Sequence, residues 1–311
     1  MAKHNFPTNS QITNFRVNGL QGRMLRMAAP KGKKREILFV YGQHSSIERW
    51  WGLAQVLNQF GALTMPDLPG FGGMDSLYQT GKRASIDNLA DYFADYIRAH
   101  HANKKITIAA MSLGFVITTR MLQRHPELIK HVDLLVSIVG FGDYTDFTFA
   151  PVQRRRYIVL STLLSTRLGS LFVQHVALQP ALLRPVYSHM RLAKEKFKDK
   201  VGDDFKAIMD AEVNLWTIND IRTQMQTNRE MLTLHSGGPR IHLPVLHVAS
   251  HKDRYFNHDS VARHLAEVYD SVSTFYTTDP NHAPTIIADL EAAAPFIPAA
   301  LCTILDKSPA A

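Results

Sequence analysis

Residues 106–114 read Ile-Thr-Ile-Ala-Ala-Met-Ser-Leu-Gly, a β-prone run that ends abruptly in Ala110-Met111-Ser112-Leu113-Gly114. A serine flanked by small residues two positions before and two after fits a strand-to-helix turn so tight that larger side chains would collide. Such a turn presents its hydroxyl at the carboxyl edge of a sheet, so Ser112 is a candidate nucleophile. The constraint extends well beyond five residues, because the turn needs a buried strand before it and a helix after it. Ile106, Thr107 and Ile108 are β-branched and continue into Ala109, which predicts a strand buried on both faces. Val116, Ile117, Met121, Leu122 and Leu128 then predict a helix that stops near Pro126 and restarts. A strand over Val132–Val139 completes a parallel βαβ unit.

At 311 residues the chain can bury a large core, as one domain with an insertion or as two domains. With 45% apolar and 20% charged residues it has the composition of a folded globular protein rather than a disordered one. The single cysteine, Cys302, excludes an intrachain disulfide framework and a cysteine-rich metal site, and predicts a reducing, cytoplasmic setting. Met1 to Pro7 carries no apolar run, so no secretory signal is expected, and no stretch has the apolar length of a membrane span.

The net charge of +8 is uneven. Residues 151–200 hold ten basic residues (Arg154, Arg155, Arg156, Arg167, Arg184, Arg191, Lys194, Lys196, Lys198 and Lys200) against only Glu195 and Asp199. This stretch is therefore a distinct surface. No nucleic-acid-binding motif accompanies the charge, so nucleic acid is not an expected partner.

Elsewhere strands and helices alternate. A hairpin is predicted over residues 11–28 with its turn at Asn18-Gly19. Strands follow at Ile37–Val40 and Ala62–Met65, each succeeded by a helix, the second of them capped by Ser85. Between about Asp143 and Gly238 the pattern changes to helical segments without a convincing strand. Alternation resumes with a strand at Val245–Ala249, a helix at Val261–Val268, a strand at Val272–Tyr276 and a final helix across Ile286–Leu305. The reading is a three-layer α/β core with a helical insertion.

This layout resembles the α/β-hydrolase superfamily over nearly the whole chain outside the insertion. The resemblance implies a mostly parallel eight-stranded sheet built from residues 1–142 and 241–311. It also implies a helical cap at 143–240, inserted after the sixth strand. The family's chain order is Ser, then an acid after a later strand, then His near the end. Asp253, in Ser250-His251-Lys252-Asp253, matches the acid loop, and His282, in Asp279-Pro280-Asn281-His282-Ala283-Pro284, matches the histidine loop. An imidazole at His282 would take the Ser112 proton and later return it to the leaving group, while a buried carboxylate fixes the imidazole tautomer. Asp143 is the alternative acid, since some family members place the carboxylate after the sixth strand. Asp279 and Asp67 read as turn residues.

The resemblance also implies an oxyanion hole from the backbone amides of Leu113 and Gln43. Gln43 follows Tyr41-Gly42, where the family has His-Gly, and this departure puts the hydrogen bonding of that loop in question. Gly70-Phe71-Gly72-Gly73 lacks the following Gly-Lys-Ser/Thr of a phosphate cradle. No metal-ligand spacing is present, and neither metal nor cofactor is expected.

The implied function is hydrolysis of small carboxylic esters, with a hydrophobic acyl group, through an acyl-enzyme. The same residues would serve a thioesterase, an acyltransferase, an amidase or a carbon–carbon bond hydrolase, and a non-catalytic binding protein could reuse the pocket. Tyr157, Leu160, Leu164, Leu168, Leu171 and Phe172 recur at helical spacing in the insertion. That stripe is expected to pack on the core with the basic residues in solvent. The other reading is peripheral contact with an anionic membrane.

Overall fold

The computed structural model describes residues 10–102, 104–177, 203–286 and 288–307. Its centre is one eight-stranded sheet in the order β1-β2-β4-β3-β5-β6-β7-β8. The first two strands, β1 (Ser10–Val17) and β2 (Leu20–Met27), form the predicted hairpin. Asn18 and Gly19 turn it with φ of 52° and 82°, the left-handed pair that suits a tight hairpin between right-twisted strands. Strand β2 pairs antiparallel with β4 (Gly61–Pro66). All later neighbours are parallel: β3 (Arg35–Val40), β5 (Ile106–Met111), β6 (Val132–Ile138), β7 (Ile241–Ala249) and β8 (Tyr269–Tyr276).

Parallel strands need crossovers, and helices supply them. These are α1 (Trp51–Asn58), α2 (Ile86–His101) and α3 (Leu113–Arg124). Ser85 caps α2 as expected, its Oγ accepting the Asn88 N–H at 3.2 Å. Every residue of β5 is buried, as its β-branched run predicts for a central strand covered on both faces.

Between β6 and β7 the described residues form α4 (Pro151–Leu164), α5 (Arg167–Phe172), α6 (Asp203–Ile218) and α7 (Ile221–Leu232). Their only described strand pairing is an isolated bridge between Phe147 and Phe256. The α6–α7 corner is tied to the glycine loop after β4: Asn219 Oδ1 accepts the Gly72 N–H, and the Asp220 N–H reaches the Gly70 carbonyl, both at 2.8 Å.

Most of the apolar stripe expected to pack on the core does not do so: Leu160, Leu168, Leu171 and Phe172 are exposed, whereas Tyr157 is half-buried against Phe149 and Leu164 packs on Val173, Ile221 and Met225. Of the nine exposed large apolar side chains among the described residues, eight lie between Val152 and Val176. Arg154 turns inward instead, donating to the Leu232 carbonyl at 2.8 Å with its guanidinium over the Tyr144 ring. Arg184, Arg191, Lys194, Lys196, Lys198 and Lys200 lie outside the described residues. No helix among the described residues is long and apolar enough to cross a membrane.

The single final helix is a second correction. Residues after β8 form α9 (Leu290–Ala293), a 3-10 turn at Ala294–Phe296 and α10 (Ala299–Asp306). Pro295 and Pro298 cause the break, because each lacks an N–H and crowds the preceding turn. Helix α8 (His258–Val268) also starts earlier than apolar spacing suggests, because Asn257 caps it.

The chain end is anchored by a buried guanidinium. Arg35 on β3 donates to the Leu305 and Lys307 carbonyls, to Thr107 Oγ1 and to the Asp133 carboxylate. Both charged side chains are nearly buried, so removing one strands the other. Arg35→Ala should lower unfolding free energy by about 3–5 kcal/mol in urea titrations. A loss below about 1 kcal/mol would show that water replaces the guanidinium freely.

Candidate active site

Strand β5 ends at Met111 and helix α3 begins at Leu113, leaving Ser112 alone to make the turn with φ 47° and ψ −119°. A non-glycine residue held at positive φ costs on the order of 1–3 kcal/mol, so the surroundings must enforce it. They do so by close packing. A Cβ at Gly114 would lie 2.4 Å from the Val40 and Tyr41 carbonyl oxygens at the end of β3. One at Gly42 would stand 3.2 Å from Ser112 Cβ and 3.8 Å from its Oγ. Glycine at 114 therefore lets the helix abut β3, and glycine at 42 lets the following loop run alongside the serine.

That loop carries Gln43. Its side chain is turned towards α7, Nε2 donating to the Gln224 carbonyl at 2.8 Å and to Thr227 Oγ1 at 2.9 Å. Its backbone N–H has no hydrogen-bond partner among the described residues. Leu113 is the first residue of α3, so its N–H lies among those a helix start leaves without an intrahelical acceptor. Leu113 follows the serine directly, and Gln43 follows the glycine that lies against it.

Tyr41, the departure from the family's His, has a structural role. Its fully buried hydroxyl donates to Asp67 Oδ1 at 2.7 Å and accepts the Leu68 N–H at 2.9 Å. Burial, with the Asp67 charge beside it, raises the phenol pKa well above its ordinary value. Asp67 also accepts from the Ile47 N–H at 3.0 Å and from Arg23 Nε at 3.0 Å. It serves as the hub of the loops after β3 and β4, consistent with its reading as a turn residue. Gly72, at φ 62°, wraps so closely that a Cβ would fall 2.1 Å from Asp67 Oδ1.

The acid and histidine loops meet beyond the ends of β7 and β8. His282 Nδ1 donates to Asp253 Oδ2 at 2.7 Å, and Asp253 Oδ1 accepts the N–H groups of Tyr255 at 2.8 Å and Phe256 at 3.3 Å. His258 Nε2 reaches the same Oδ2 at 3.0 Å. Burial pushes the Asp253 carboxyl upward. The His258 and His282 hydrogen bonds, the His282 charge and the Tyr255 amide outweigh it, holding the pKa well below the carboxylate range. The His282 ring packs edge-on against that of Tyr255 and tilted against that of Phe256, centroids 5.1 and 5.3 Å away. Arg49 braces its loop, donating to the Pro284 carbonyl at 2.7 Å and the Thr285 carbonyl at 3.0 Å. Asp279 makes the expected turn, Oδ1 accepting the Asn281 N–H at 2.8 Å.

Asp143 is engaged elsewhere. Its Oδ1 accepts from the Thr145 amide and hydroxyl, and its Oδ2 from the Ser236 N–H at 2.8 Å. Burial works against ionisation there, but these donors outweigh it and lower the pKa. The geometry therefore pairs His282 with Asp253 rather than Asp143. Among the described residues no hydrogen bond joins Ser112 Oγ to His282. Sequence reasoning missed His258: it lies five residues beyond Asp253, where no spacing rule points to it. No cluster of three or more metal-ligating side chains is found among the described residues.

Comparison with known proteins agrees with this layout. A family model described as the alpha/beta hydrolase fold matches residues 36–284. No curated protein matches by sequence. A lipase from Acinetobacter baumannii AYE, itself described as putative, superposes with a TM-score of 0.63 at 15% identity, over 96% of this chain and 93% of that one. An epoxide hydrolase from Bacillus megaterium gives 0.60 at 15%, over 87% and 93%. A Salmonella enterica protein described as a putative acyltransferase gives 0.65 at 15%, over 88% and 89%. At such identities these likenesses speak to fold alone, and the family match covers most of the sequence. The chain belongs to the α/β-hydrolase family.

Proposed function

We propose that this chain is a serine hydrolase that cleaves carboxylic esters with a hydrophobic acyl group. The observation that carries the reading is the strained Ser112 turn, with Leu113 and Gln43 amides that have no partner among the described residues, in a fold whose histidine loop holds a carboxylate-bound imidazole. Ser112 Oγ attacks the ester carbonyl as His282 Nε2 takes its proton, forming a tetrahedral oxyanion held by the Leu113 and Gln43 amides. Collapse expels the alcohol, which takes the proton back from His282 and leaves an acyl-serine. Water then repeats the sequence and releases the acid. Asp253 keeps the proton on His282 Nδ1, leaving Nε2 as the base, and stabilises the imidazolium. Among related activities, a serine at the turn disfavours epoxide opening by an aspartate nucleophile. The single cysteine fits a reducing, cytoplasmic setting.

One observation favours delivery of substrate from a lipid surface. Val152, Val159 and Leu163 share one face of α4 with Arg156, and Leu168 and Phe172 extend the apolar area beside Arg167; all seven side chains are exposed. Apolar groups fringed by guanidinium suit an anionic bilayer better than water.

On a p-nitrophenyl ester series, kcat/KM should rise from acetate to medium-chain esters, and a preference for acetate would contradict the hydrophobic acyl group. Ser112→Ala should reduce kcat by about 10⁴-fold or more and Asp253→Asn by about 10⁴-fold, whereas Asp143→Asn should change kcat only a few-fold while lowering the melting temperature. Equal losses in the two Asn variants would remove Asp253 from its assigned role. In vesicle sedimentation, the protein should bind anionic but not zwitterionic bilayers, less so in high salt, and Leu163→Asp with Phe172→Asp should abolish binding. Equal binding of both vesicle types, or of neither, would contradict the surface reading.

A further inference from the structure

Behind Asp253 stands a row of side chains that ester hydrolysis does not itself require. His258 Nε2 meets Asp253 Oδ2, the oxygen that also receives His282, at 3.0 Å. His258 Nδ1 faces His247 Nε2 at 3.1 Å, and His247 Nδ1 faces Ser137 Oγ at 3.0 Å. The sheet builds the row: Ser137 and His247 are register partners on β6 and β7, and His258 opens α8 immediately beyond. Ser137 and His247 are fully buried, and the His258 side chain is 5% exposed.

Hydrogen-bond chemistry fixes the direction of the row. A carboxylate only accepts, so His258 Nε2 carries a proton. In the neutral ring Nδ1 is then an acceptor, and His247 Nε2 must donate to it. That leaves His247 Nδ1 to accept from the Ser137 hydroxyl. With both rings neutral, one proton arrangement satisfies every contact. A second requires an added proton: His258 becomes an imidazolium, and His247 switches tautomer so that Nδ1 donates to Ser137 Oγ. Burial, with His258 beside it, lowers the His247 pKa to about 3, so His247 is neutral in both arrangements. The titratable groups facing His258 are His247 from β7, Asp253 from the loop after β7 and, across the shared oxygen, His282 from the loop after β8.

We propose that His258, held by His247 and Ser137, is a positioning residue that sets the basicity of His282 by sharing Asp253 Oδ2. A carboxylate that gives part of its charge to a second N–H stabilises the His282 imidazolium less. Removing His258 therefore makes His282 more basic, so that a higher pH is needed to free it as the base. The inference rests on the proposed role of His282.

The test compares His258→Leu with His258→Gln, whose amide N–H reaches the same oxygen. Two readouts are used: the acid limb of the kcat/KM–pH profile for an ester, and the NMR titration of the His282 ring. His258→Leu is expected to raise both by about one pH unit, which lowers activity about tenfold at pH values well below the limb. His258→Gln is expected to restore both to within a few tenths of a unit. Unchanged values in His258→Leu would overturn the proposal. The NMR titration needs no substrate, so absence of esterase activity would defeat the hydrolase reading without deciding this one. Should His258→Leu fail to fold, wild-type nitrogen chemical shifts decide. Above the His282 titration, His258 and His247 should both carry their proton on Nε2, and a proton on Nδ1 of either ring would overturn the row.

Discussion

A single residue of backbone, Ser112 at φ 47°, links the strand at the centre of the sheet to the helix behind it. The conformation is costly in isolation and persists because its neighbours leave no alternative. Gly114 brings α3 against the end of β3, Gly42 brings the next loop against the serine, and the Ser112 N–H continues the sheet by bonding the Ile138 carbonyl at 3.1 Å. Buried β5 and the close α3 contact belong with that one turn. Strain stored there also presents the hydroxyl outward without relying on side-chain order.

The second organising element is the Asp253 carboxylate, which collects four donors on two oxygens. Two are backbone amides of its own loop and fix its position. Two are imidazoles from different elements, so the carboxylate joins the sheet interior, α8 and the histidine loop. Despite burial, these donors hold its pKa below the ordinary carboxylate range. Asp67 plays a corresponding structural part elsewhere, joining the loops after β3 and β4 through Tyr41 and Arg23.

Much of this was legible in the sequence because its causes are local. The hairpin followed from Asn18-Gly19 and the elbow from small residues around Ser112, while the resemblance to the α/β-hydrolase superfamily implied Asp253 and His282 and left Asp143 as the alternative acid. What was not legible depends on packing across the chain. The Tyr41 substitution made sense only once its hydroxyl was seen on Asp67, 26 positions away. His258 and His247 read as ordinary polar residues until β6, β7 and α8 were placed together. The last helix was overextended because apolar spacing outweighed Pro295 and Pro298. The apolar stripe of α4 and α5 has core-like spacing, yet spacing cannot reveal which face finds a partner.

The proposed chemistry stands or falls on whether Ser112 is the nucleophile. Reaction of the protein with a fluorophosphonate, followed by peptide mass mapping, reads this without any assumption about substrate. One phosphonyl adduct on the peptide that carries Ser112, absent from Ser112→Ala and strongly slowed in His282→Ala, is the expected result. No adduct on the folded protein, or one that persists in Ser112→Ala, would contradict it.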